Sequence, residues 1–135
     1  MPFDADREAE ALRAALNNRS DIRQIASQLE DIPVATLVVD DGGRYIAANQ
    51  RACELTGYTR DELLTRSVAD ITHSIDLPVE ERLWRAFERT RRQSGRYTLR
   101  RKDGATVRVD YEAFWDLGPG IHISFLNPAP QESDT

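Results

Sequence analysis

Apolar and polar residues alternate with a period of two over residues 107–116, which is the pattern of a β-strand with one buried face. Strands are also predicted over 34–40 and 44–48, because Asp40-Asp41-Gly42-Gly43 between them has the composition of a hairpin turn. Gly95 is predicted to open a final run of three strands. The last of these is expected to present three apolar side chains on its inner face: Ile121, Ile123 and Phe125.

Between the second and third strands the spacing predicts three short helices and one longer helix. Asn49 is expected to cap the first short helix, and Gly57 is expected to end it in the left-handed conformation. Thr59 and Glu62 have the spacing of a capping box for the next helix. Pro78 fits the first turn of the longest helix. The predicted buried face of that helix consists of Val79, Leu83, Phe87 and Thr90.

The first thirty residues have helical character. Four apolar residues follow the 3-4-3 spacing of a coiled-coil seam: Ile22, Ile25, Leu29 and Ile32. Projected backward, this seam reaches the much weaker stripe of Asn18, Ala15, Ala11 and Glu8. Residues 17–20 interrupt the pattern, and Ser20 is predicted to cap a second helix. We therefore expect two helical pieces, or one helix with a break, as an extension over 1–31 that precedes a domain over 32–127 and a disordered tail over 128–135.

Composition narrows the class of protein. The chain has 135 residues and is 40% apolar, which suits one domain with an appendage. The net charge of -5 gives no general attraction to nucleic acid. No apolar stretch is long enough to cross a membrane, no basic-then-apolar leader precedes the first helix, and Cys53 is the lone cysteine, so we expect a cytoplasmic protein.

Two phrases and the order of elements carry a resemblance to a known family. The phrases are Asn49-Gln50-Arg51-Ala52-Cys53-Glu54-Leu55-Thr56-Gly57-Tyr58 and Leu99-Arg100-Arg101-Lys102-Asp103-Gly104. With the predicted elements between Ile32 and Phe125, they resemble the Per-Arnt-Sim (PAS) sensory domain. The resemblance implies an α+β fold with a five-stranded antiparallel sheet in the order 2-1-5-4-3, flanked by helices around a cavity.

The resemblance also implies a function in signal transduction rather than catalysis. Such a module would sense a small ligand, form a homodimer, or both. Its effector, fused or separate, would be a histidine kinase, a cyclase or a transcription regulator, without direct contact to nucleic acid or a membrane. Many relatives leave the last strand through an aspartate-hydrophobic-threonine motif, whereas this chain has Leu126-Asn127-Pro128-Ala129-Pro130. The N-terminal helix is therefore the expected conduit for the signal.

The residues with which relatives of this family hold a cofactor indicate which cofactors this chain could bind. Haem is not expected, because residues 78–93 contain no histidine, His73 lies in a loop, and His122 is predicted to face away from the cavity. The helix near 68–71 has no cysteine to attack a flavin, and no metal site or catalytic residue is predicted. Non-covalent flavin or a small metabolite stays open, since aromatic residues could stack on it: Trp84, Tyr97 and Trp115.

The predicted cavity has apolar walls, and hydroxyls of Tyr97, Tyr111 or Ser124 could orient a ligand. The alternative is that the walls fill the space themselves. The predicted cavity residues are Leu37, Val39, Leu55, Leu63, Ile71, Leu83, Phe87, Tyr97, Val109, Tyr111 and Ile123.

For the predicted dimer, the N-terminal helix is expected to pack on the apolar outer face of the sheet, and two copies are expected to pair through the seam of that helix. The residues of this predicted interface are Ile22, Ile25, Leu29, Val38, Phe114 and Leu126.

A second function stays open, namely a ligand-free scaffold that docks an acidic partner. It rests on a cluster of basic residues with only Glu88 among them: Arg82, Arg85, Arg89, Arg91, Arg92, Arg96, Arg100, Arg101 and Lys102. A solvated helix face and strand edge would give the same composition.

Overall fold

The computed structural model describes residues 3–16, 21–72 and 77–130 of the chain, and only the backbone over 77–81. The N-terminal region contains the helix α1 (Ala5–Leu16), a 3₁₀ turn (Ile22–Ile25) and the short helix α2 (Ala26–Asp31). The remaining elements are β1 (Ala35–Val39), β2 (Tyr45–Ala48), α3 (Gln50–Thr56), α4 (Arg60–Leu63), α5 (Val68–Ile71), α6 (Leu77–Thr90), β3 (Arg92–Arg100), β4 (Thr106–Gly118) and β5 (Ile121–Pro128).

The strands of the described residues form one antiparallel sheet in the order β2-β1-β5-β4-β3. This confirms the predicted α+β fold class and strand order. The β3–β4 hairpin is the longest ladder and pairs Arg92 with Phe114 at one end and Arg100 with Thr106 at the other. Between β4 and β5 the register shifts from Phe114 to Gly118, and Asp116 in this bulge has a left-handed φ of 57°.

The outer face of the sheet is the side covered by α1, the 3₁₀ turn and α2. Helix α1 buries one stripe against this face, formed by Ala5, Ala9, Leu12 and Leu16. The prediction of two helical pieces is confirmed. The backward projection of the seam was wrong for α1, because that helix buries a different stripe and Ala11 is exposed. Ser20 lies outside the described residues, and Asp21 caps the 3₁₀ turn.

The inner face of the sheet is the side covered by α3, α4, α5 and α6. The predicted local signals are confirmed here: Asn49 caps α3, and Gly57 ends it with a φ of 81°. Thr59 and Glu62 form the predicted capping box of α4. Helix α6 begins at Leu77, so Pro78 does lie in its first turn.

The predicted face of α6 is only partly covered by the rest of the chain. Phe87 is 4% exposed, whereas Leu83 is 40% exposed and Thr90 is exposed. The side chain of Val79 lies outside the described residues. The exposed Leu83 shows that α6 does not close completely over the sheet.

The facing of β5 is the reverse of the prediction. Ile123 pairs with Val38 and Phe114 and belongs to the outer cluster with Phe125, while His122 and Leu126 lie on the inner side. The prediction assigned apolar residues to the inner face, but both faces of this sheet are buried. Apolarity therefore identifies a buried position without telling which side it faces.

The C-terminal end of the sheet is longer than predicted. β5 continues through Pro128, and the Ala129 N–H donates to the carbonyl oxygen of Arg108 at 2.8 Å. Ala129 is 4% exposed. The predicted tail that begins at residue 128 is therefore wrong for its first two residues, because the free edge of backbone groups on β4 gives them partners.

Candidate functional site

A cavity of about 170 Å³ lies between the inner face of the sheet and α5 and α6. Its walls come from every strand and from two helices, so the tertiary fold as a whole sets its shape. The described residues that line it are Leu37, Val39, Tyr45, Val68, Thr72, Leu83, Trp84, Phe87, Gln93, Arg96, Tyr97, Tyr111, Ala113, Ile123 and Ser124.

Most of the predicted cavity residues lie at this site. Those that line it are Leu37, Val39, Leu83, Phe87, Tyr97, Tyr111 and Ile123. Ile123 borders the cavity although it belongs to the outer cluster, so it takes part as a member of β5 rather than as an inward side chain.

The other predicted positions fill the neighbouring core between the sheet and the short helices. They are Leu55, Leu63, Ile71 and Val109, and of these Leu63, Ile71 and Val109 are fully buried. At this end of the inner face the side chains therefore fill the interior themselves, whereas an open cavity remains at the end near α6.

Sequence reasoning missed several wall residues, among them Tyr45, Thr72, Gln93 and Ala113. Gln93 and Ala113 are directly paired across β3 and β4. Tyr111 was predicted to face inward, and the same period of two placed Ala113 beside it. A polar residue such as Gln93 gives no hydrophobic signal, so its position follows only from the register of the hairpin.

A chain of hydrogen bonds crosses one side of the cavity. The Tyr111 hydroxyl donates to Oε1 of Gln93 at 2.9 Å, and Nε2 of Gln93 donates to the carbonyl oxygen of Leu83 at 2.9 Å. These bonds join β4, β3 and α6. Burial raises the pKa of the Tyr111 phenol, so this hydroxyl stays protonated and available as a donor at neutral pH.

Tyr97 provides the second phenol of the cavity. Its ring meets that of Tyr111 edge to face, with 5.6 Å between the centroids. Within the described part of the chain its hydroxyl makes no hydrogen bond. Burial is the main cause that raises the pKa of the Tyr97 phenol, and the neighbouring Tyr111 raises it further. The hydroxyl is therefore a neutral polar group at the wall of an apolar space.

Arg96 borders the cavity through the backbone of β3, and its guanidinium lies on the outer side of the sheet, opposite Asp110. Its Nε donates to Oδ1 of Asp110 at 2.6 Å, and its Nη2 donates to Oδ2 at 3.3 Å. The hydrogen bond from Arg96 holds the pKa of the Asp110 carboxyl below its usual range. The guanidinium is thus already paired with a carboxylate on the neighbouring strand.

Aromatic side chains close the wall beyond Phe87. Trp115 stacks on His122 with 3.5 Å between ring centroids, and Trp84 meets Trp115 edge to face at 5.5 Å. The Nδ1 of His122 accepts the backbone N–H of Asp116 at 2.9 Å, so its Nε2 carries the proton and donates to Oδ1 of Asp41 at 2.7 Å. Both ring nitrogens therefore have protein partners.

This arrangement corrects the predicted position of His122, which faces inward and is fully buried behind Trp115. To bind an iron atom, His122 would have to give up one of these two hydrogen bonds. His73 lies outside the described residues. Cys53 is buried on α3, where burial raises the pKa of its thiol, which makes it a poor nucleophile.

The predicted dimer residues are used inside the chain. Ile25, Leu29, Val38 and Phe114 pack together in the outer cluster, and Leu126 belongs to the inner core. Ile22 is only partly buried. The N-terminal helices thus pack on the outer face at Val38 and Phe114, as expected, whereas the expectation for Leu126 was wrong. The pairing of two copies through the seam stays a prediction.

Most of the predicted basic surface is engaged in ion pairs and hydrogen bonds. Arg92 bonds to Asp6 and Glu112, Arg91 pairs with Asp116 at 3.0 Å, and Lys102 pairs with Glu62. Arg100 donates to the carbonyl oxygen of Asp70. Three further arginines lie on the exposed side of α6, at the spacing of one helix stripe, and Arg85 among them also has a partner in the chain: Arg82, Arg85 and Arg89.

Comparisons with known proteins agree with the sheet order. The PAS domain family matches residues 33–123, which is more than half of the chain, and the chain belongs to this family. No curated protein sequence matches it. No helix of the described residues is long and apolar enough to cross a membrane.

Solved structures match at low identity. A PAS domain from Colwellia psychrerythraea has 16% identity and a TM-score of 0.70, with 82% of this chain and 98% of that chain covered. A domain of a sensory box sensor histidine kinase/response regulator from Geobacter sulfurreducens has 19% identity and a TM-score of 0.65, with 75% and 88% covered. The PAS domain of a LuxR-family transcriptional regulator from Burkholderia thailandensis, in complex with ethanol, has 13% identity and a TM-score of 0.65, with 82% and 99% covered. At these identities the likeness shows the fold.

Proposed function

We propose that this PAS domain is a sensory module of a cytoplasmic signalling system and that it binds a small molecule in the inner cavity. The observation that carries the proposal is the cavity of about 170 Å³, which is open beside an otherwise filled core. An engineered cavity of about 150 Å³ is known to bind benzene, so this volume suffices for a ligand. The similar domains described above come from a sensor kinase and a transcription regulator, and one of them holds ethanol.

The arrangement favours binding over catalysis. Within the described ranges, no three His, Cys, Asp or Glu side chains come together as metal ligands, and no carboxylate lines the cavity. The polar groups at the wall are neutral hydroxyls and one amide, which orient a ligand but are weak general acids and bases. Non-covalent flavin needs far more room than about 170 Å³, so a small metabolite is the better candidate.

A cavity-filling variant tests the proposal. Ala113→Leu places a larger side chain in the wall, and Ala105→Leu makes the same change at an exposed position of the β3–β4 turn. Native mass spectrometry of protein purified under mild conditions, with thermal shifts over a metabolite panel, should detect a ligand for wild type and Ala105→Leu. Ala113→Leu should lose it while keeping its circular dichroism spectrum. Equal binding by all three proteins would place the ligand elsewhere.

The signal is proposed to leave through the N-terminal helices to an effector such as a histidine kinase, a cyclase or a transcription regulator. The contacts of α1 and α2 with the outer face support this route, since a shift of the sheet changes their packing surface directly. A homodimer is also proposed. Light scattering over a concentration series tests it, and a constant monomer mass would reject it.

A ligand-free scaffold is the second candidate, and the exposed stripe of Arg82, Arg85 and Arg89 on α6 favours it. An acidic partner would bind this stripe with strong salt dependence. Arg85→Glu with Arg89→Glu should abolish capture of such a partner and leave the cavity unchanged. A ligand found in wild type, and lost in Ala113→Leu, would favour sensing instead.

A further inference from the structure

The charge of the cavity wall restricts the charge of its ligand. Arg96 is the one charged residue that borders the cavity among the residues described, and it does so through the backbone of β3, because its guanidinium is bound to Asp110 on the outer side of the sheet. An ion moved from water into an apolar space without a counter-ion loses its hydration and gains little in return. The wall therefore suits an uncharged molecule.

The size of the cavity and the aromatic character of its wall restrict the shape of the ligand. Five aromatic residues line the space: Tyr45, Trp84, Phe87, Tyr97 and Tyr111. Rings at such walls favour edge-to-face and offset contacts with another ring. The volume of about 170 Å³ is close to that of the engineered cavity that accepts benzene. A single six-membered ring fills it, and a fused ring system with a long side chain does not fit.

The hydroxyl of Tyr97 restricts the polarity of the ligand. The Tyr111 hydroxyl already donates to Gln93, whose amide in turn donates to Leu83, so this chain is complete. Tyr97 is partly buried, and its hydroxyl makes no hydrogen bond within the described residues. The hydroxyl therefore lies at the cavity wall without a protein acceptor among those residues, and a ligand oxygen at this position would supply one.

We propose that the inner cavity takes an uncharged ligand of about one six-membered ring that carries one hydrogen-bonding oxygen, and that Tyr97 orients this oxygen. The proposal rests on the sensory function proposed above and names the chemical class of its ligand. The competing chemistry is a cation, since aromatic walls also attract ammonium groups. No carboxylate lines the cavity to offset the desolvation of a cation, so the neutral class is favoured.

Four probes of similar size separate these classes: benzyl alcohol, toluene, benzoate and benzylammonium. Titration by calorimetry and by two-dimensional NMR at pH 7, on the full chain freed of endogenous ligand by mild unfolding and refolding, gives their affinities. Benzyl alcohol and toluene should bind and shift the indole signals of Trp84 and Trp115. Benzoate and benzylammonium should bind at least about tenfold more weakly than benzyl alcohol, because neither charge finds a partner.

Tyr97→Phe removes the hydroxyl and keeps the ring. This variant should lower the affinity for benzyl alcohol by about five- to tenfold and leave the affinity for toluene unchanged, since only the alcohol has an oxygen that Tyr97 can bind. Tyr58→Phe is the matched control, because Tyr58 lies outside the cavity, below the guanidinium of Arg66. It should change neither affinity.

Several results would overturn the proposal. Tighter binding of benzoate or benzylammonium than of benzyl alcohol rejects the neutral class. Equal weakening of toluene and benzyl alcohol in Tyr97→Phe rejects the role of the hydroxyl. If no probe binds but wild type still carries a ligand that Ala113→Leu loses, the ligand class is wrong and the sensory function stands. If no probe binds and no ligand is found, both proposals fail.

Discussion

The two faces of the sheet are built from the same strands, yet they bury their side chains in different ways. On the outer face the aliphatic stripe of α1 packs against residues such as Phe114 and Ile123, and Leu12 and Leu16 are fully buried. On the inner face aromatic and polar side chains surround a cavity, and Leu83 on α6 is 40% exposed. Both faces are covered by helices, but the largely apolar cavity lies on the inner face, whereas the hollow on the outer side, beside Phe3 and Phe125, is wider and more polar.

The difference follows from the kind of helix on each side. α1 carries small and aliphatic residues in its stripe, so it approaches the sheet closely and fills the gaps between strands. α6 carries Trp84 and Phe87, which contact each other and Trp115 edge to face. Large rigid rings in this arrangement hold the helix away from the middle of the sheet. The outer face is thus covered by close aliphatic packing, whereas the inner face keeps a cavity beside its aromatic rings.

The largest expected difference between the faces is the response to side-chain truncation. Leu12→Ala removes a fully buried side chain from the outer cluster and should lower the free energy of unfolding by about 3 kcal/mol. Leu83→Ala, at the open inner wall, should lower it by less than about 1 kcal/mol, because part of the side chain already faces solvent. Urea unfolding measures both, with Leu64→Ala as an exposed control.

Similar losses for Leu12→Ala and Leu83→Ala would contradict the comparison, since they would mean that α6 is packed as tightly as α1. A loss for Leu64→Ala comparable to that of Leu12→Ala would mean that the unfolded state, rather than packing, dominates the measured changes.

The next effect concerns Asn49, which joins the covers of the two faces. Its Oδ1 accepts the backbone N–H groups of Thr36 and Ala52, and its Nδ2 donates to the carbonyl oxygens of Leu29 and Val34, at 2.9 to 3.0 Å. Asn49→Ala leaves four backbone groups without these partners and should lower the free energy of unfolding by roughly 2 to 3 kcal/mol. Asn127→Ala, at an exposed position, is the control.

Asn49→Asp refines this test. The aspartate keeps both acceptor bonds, of which the one from Ala52 caps α3, and loses both donor bonds, of which the one to Leu29 holds α2. Hydrogen exchange should then show weaker protection in α2 with α3 unchanged. Equal loss in both helices would show that the side chain stabilises the region as one unit rather than through separate bonds.

The sequence predicted the sheet, the caps and most of the cavity because those features are local or depend on the strand period. Asn49, Gly57 and Thr59 act on neighbours within a few residues, so their roles are visible in the sequence itself. The facing of β5 could not be predicted in this way, because both of its sides are buried and the bulge at Asp116 resets the register between β4 and β5. His122 was assigned to the wrong side for the same reason.

The packing of the N-terminal region and the presence of the cavity could not be predicted from the sequence, because both depend on tertiary packing. Ile25 and Leu29 have a seam spacing that suits a second chain as well as a sheet of the same chain, and the spacing alone does not distinguish the two. Likewise, apolar residues such as Leu63 and Tyr97 give similar signals, although Leu63 fills the core and Tyr97 lines the cavity. Whether a wall fills its own space depends on the distance between helix and sheet, which no single residue encodes.

A smaller effect is expected at His122, where the inner aromatic wall meets the bulge that contacts α1. His122→Phe keeps a ring against Trp115 and loses the hydrogen bonds to Asp116 and Asp41. Asp41 and Asp116 are exposed and can bind water instead, so the free energy of unfolding should fall by only about 1 kcal/mol.

The position of Asp116 gives this variant a second readout. Its carbonyl oxygen accepts a hydrogen bond from Nε of Arg13 on α1, and its carboxylate pairs with Arg91. NMR shifts of the α1 amides should therefore change in His122→Phe. Unchanged α1 signals would mean that the two faces are not coupled through the bulge.

The smallest effect is the response of α1 to acid. Arg92 on β3 donates two hydrogen bonds to the Asp6 carboxylate, at 2.8 and 3.2 Å, and these hold the pKa of Asp6 below its ordinary value of 3.8. A carboxyl whose pKa is lowered by folding stabilises the folded state above its ordinary value, and that contribution is lost as the pH falls through the lowered one. Hydrogen-exchange protection of α1 should therefore fall slightly as the pH drops below 3.8, while β5 keeps its protection. In Asp6→Asn the protection of α1 should already be weaker than in wild type at neutral pH, and it should fall less in acid. Asp103→Asn, in the β3–β4 turn, should behave as wild type. An identical acid response in Asp6→Asn would show that other carboxylates control how α1 is held on the outer face.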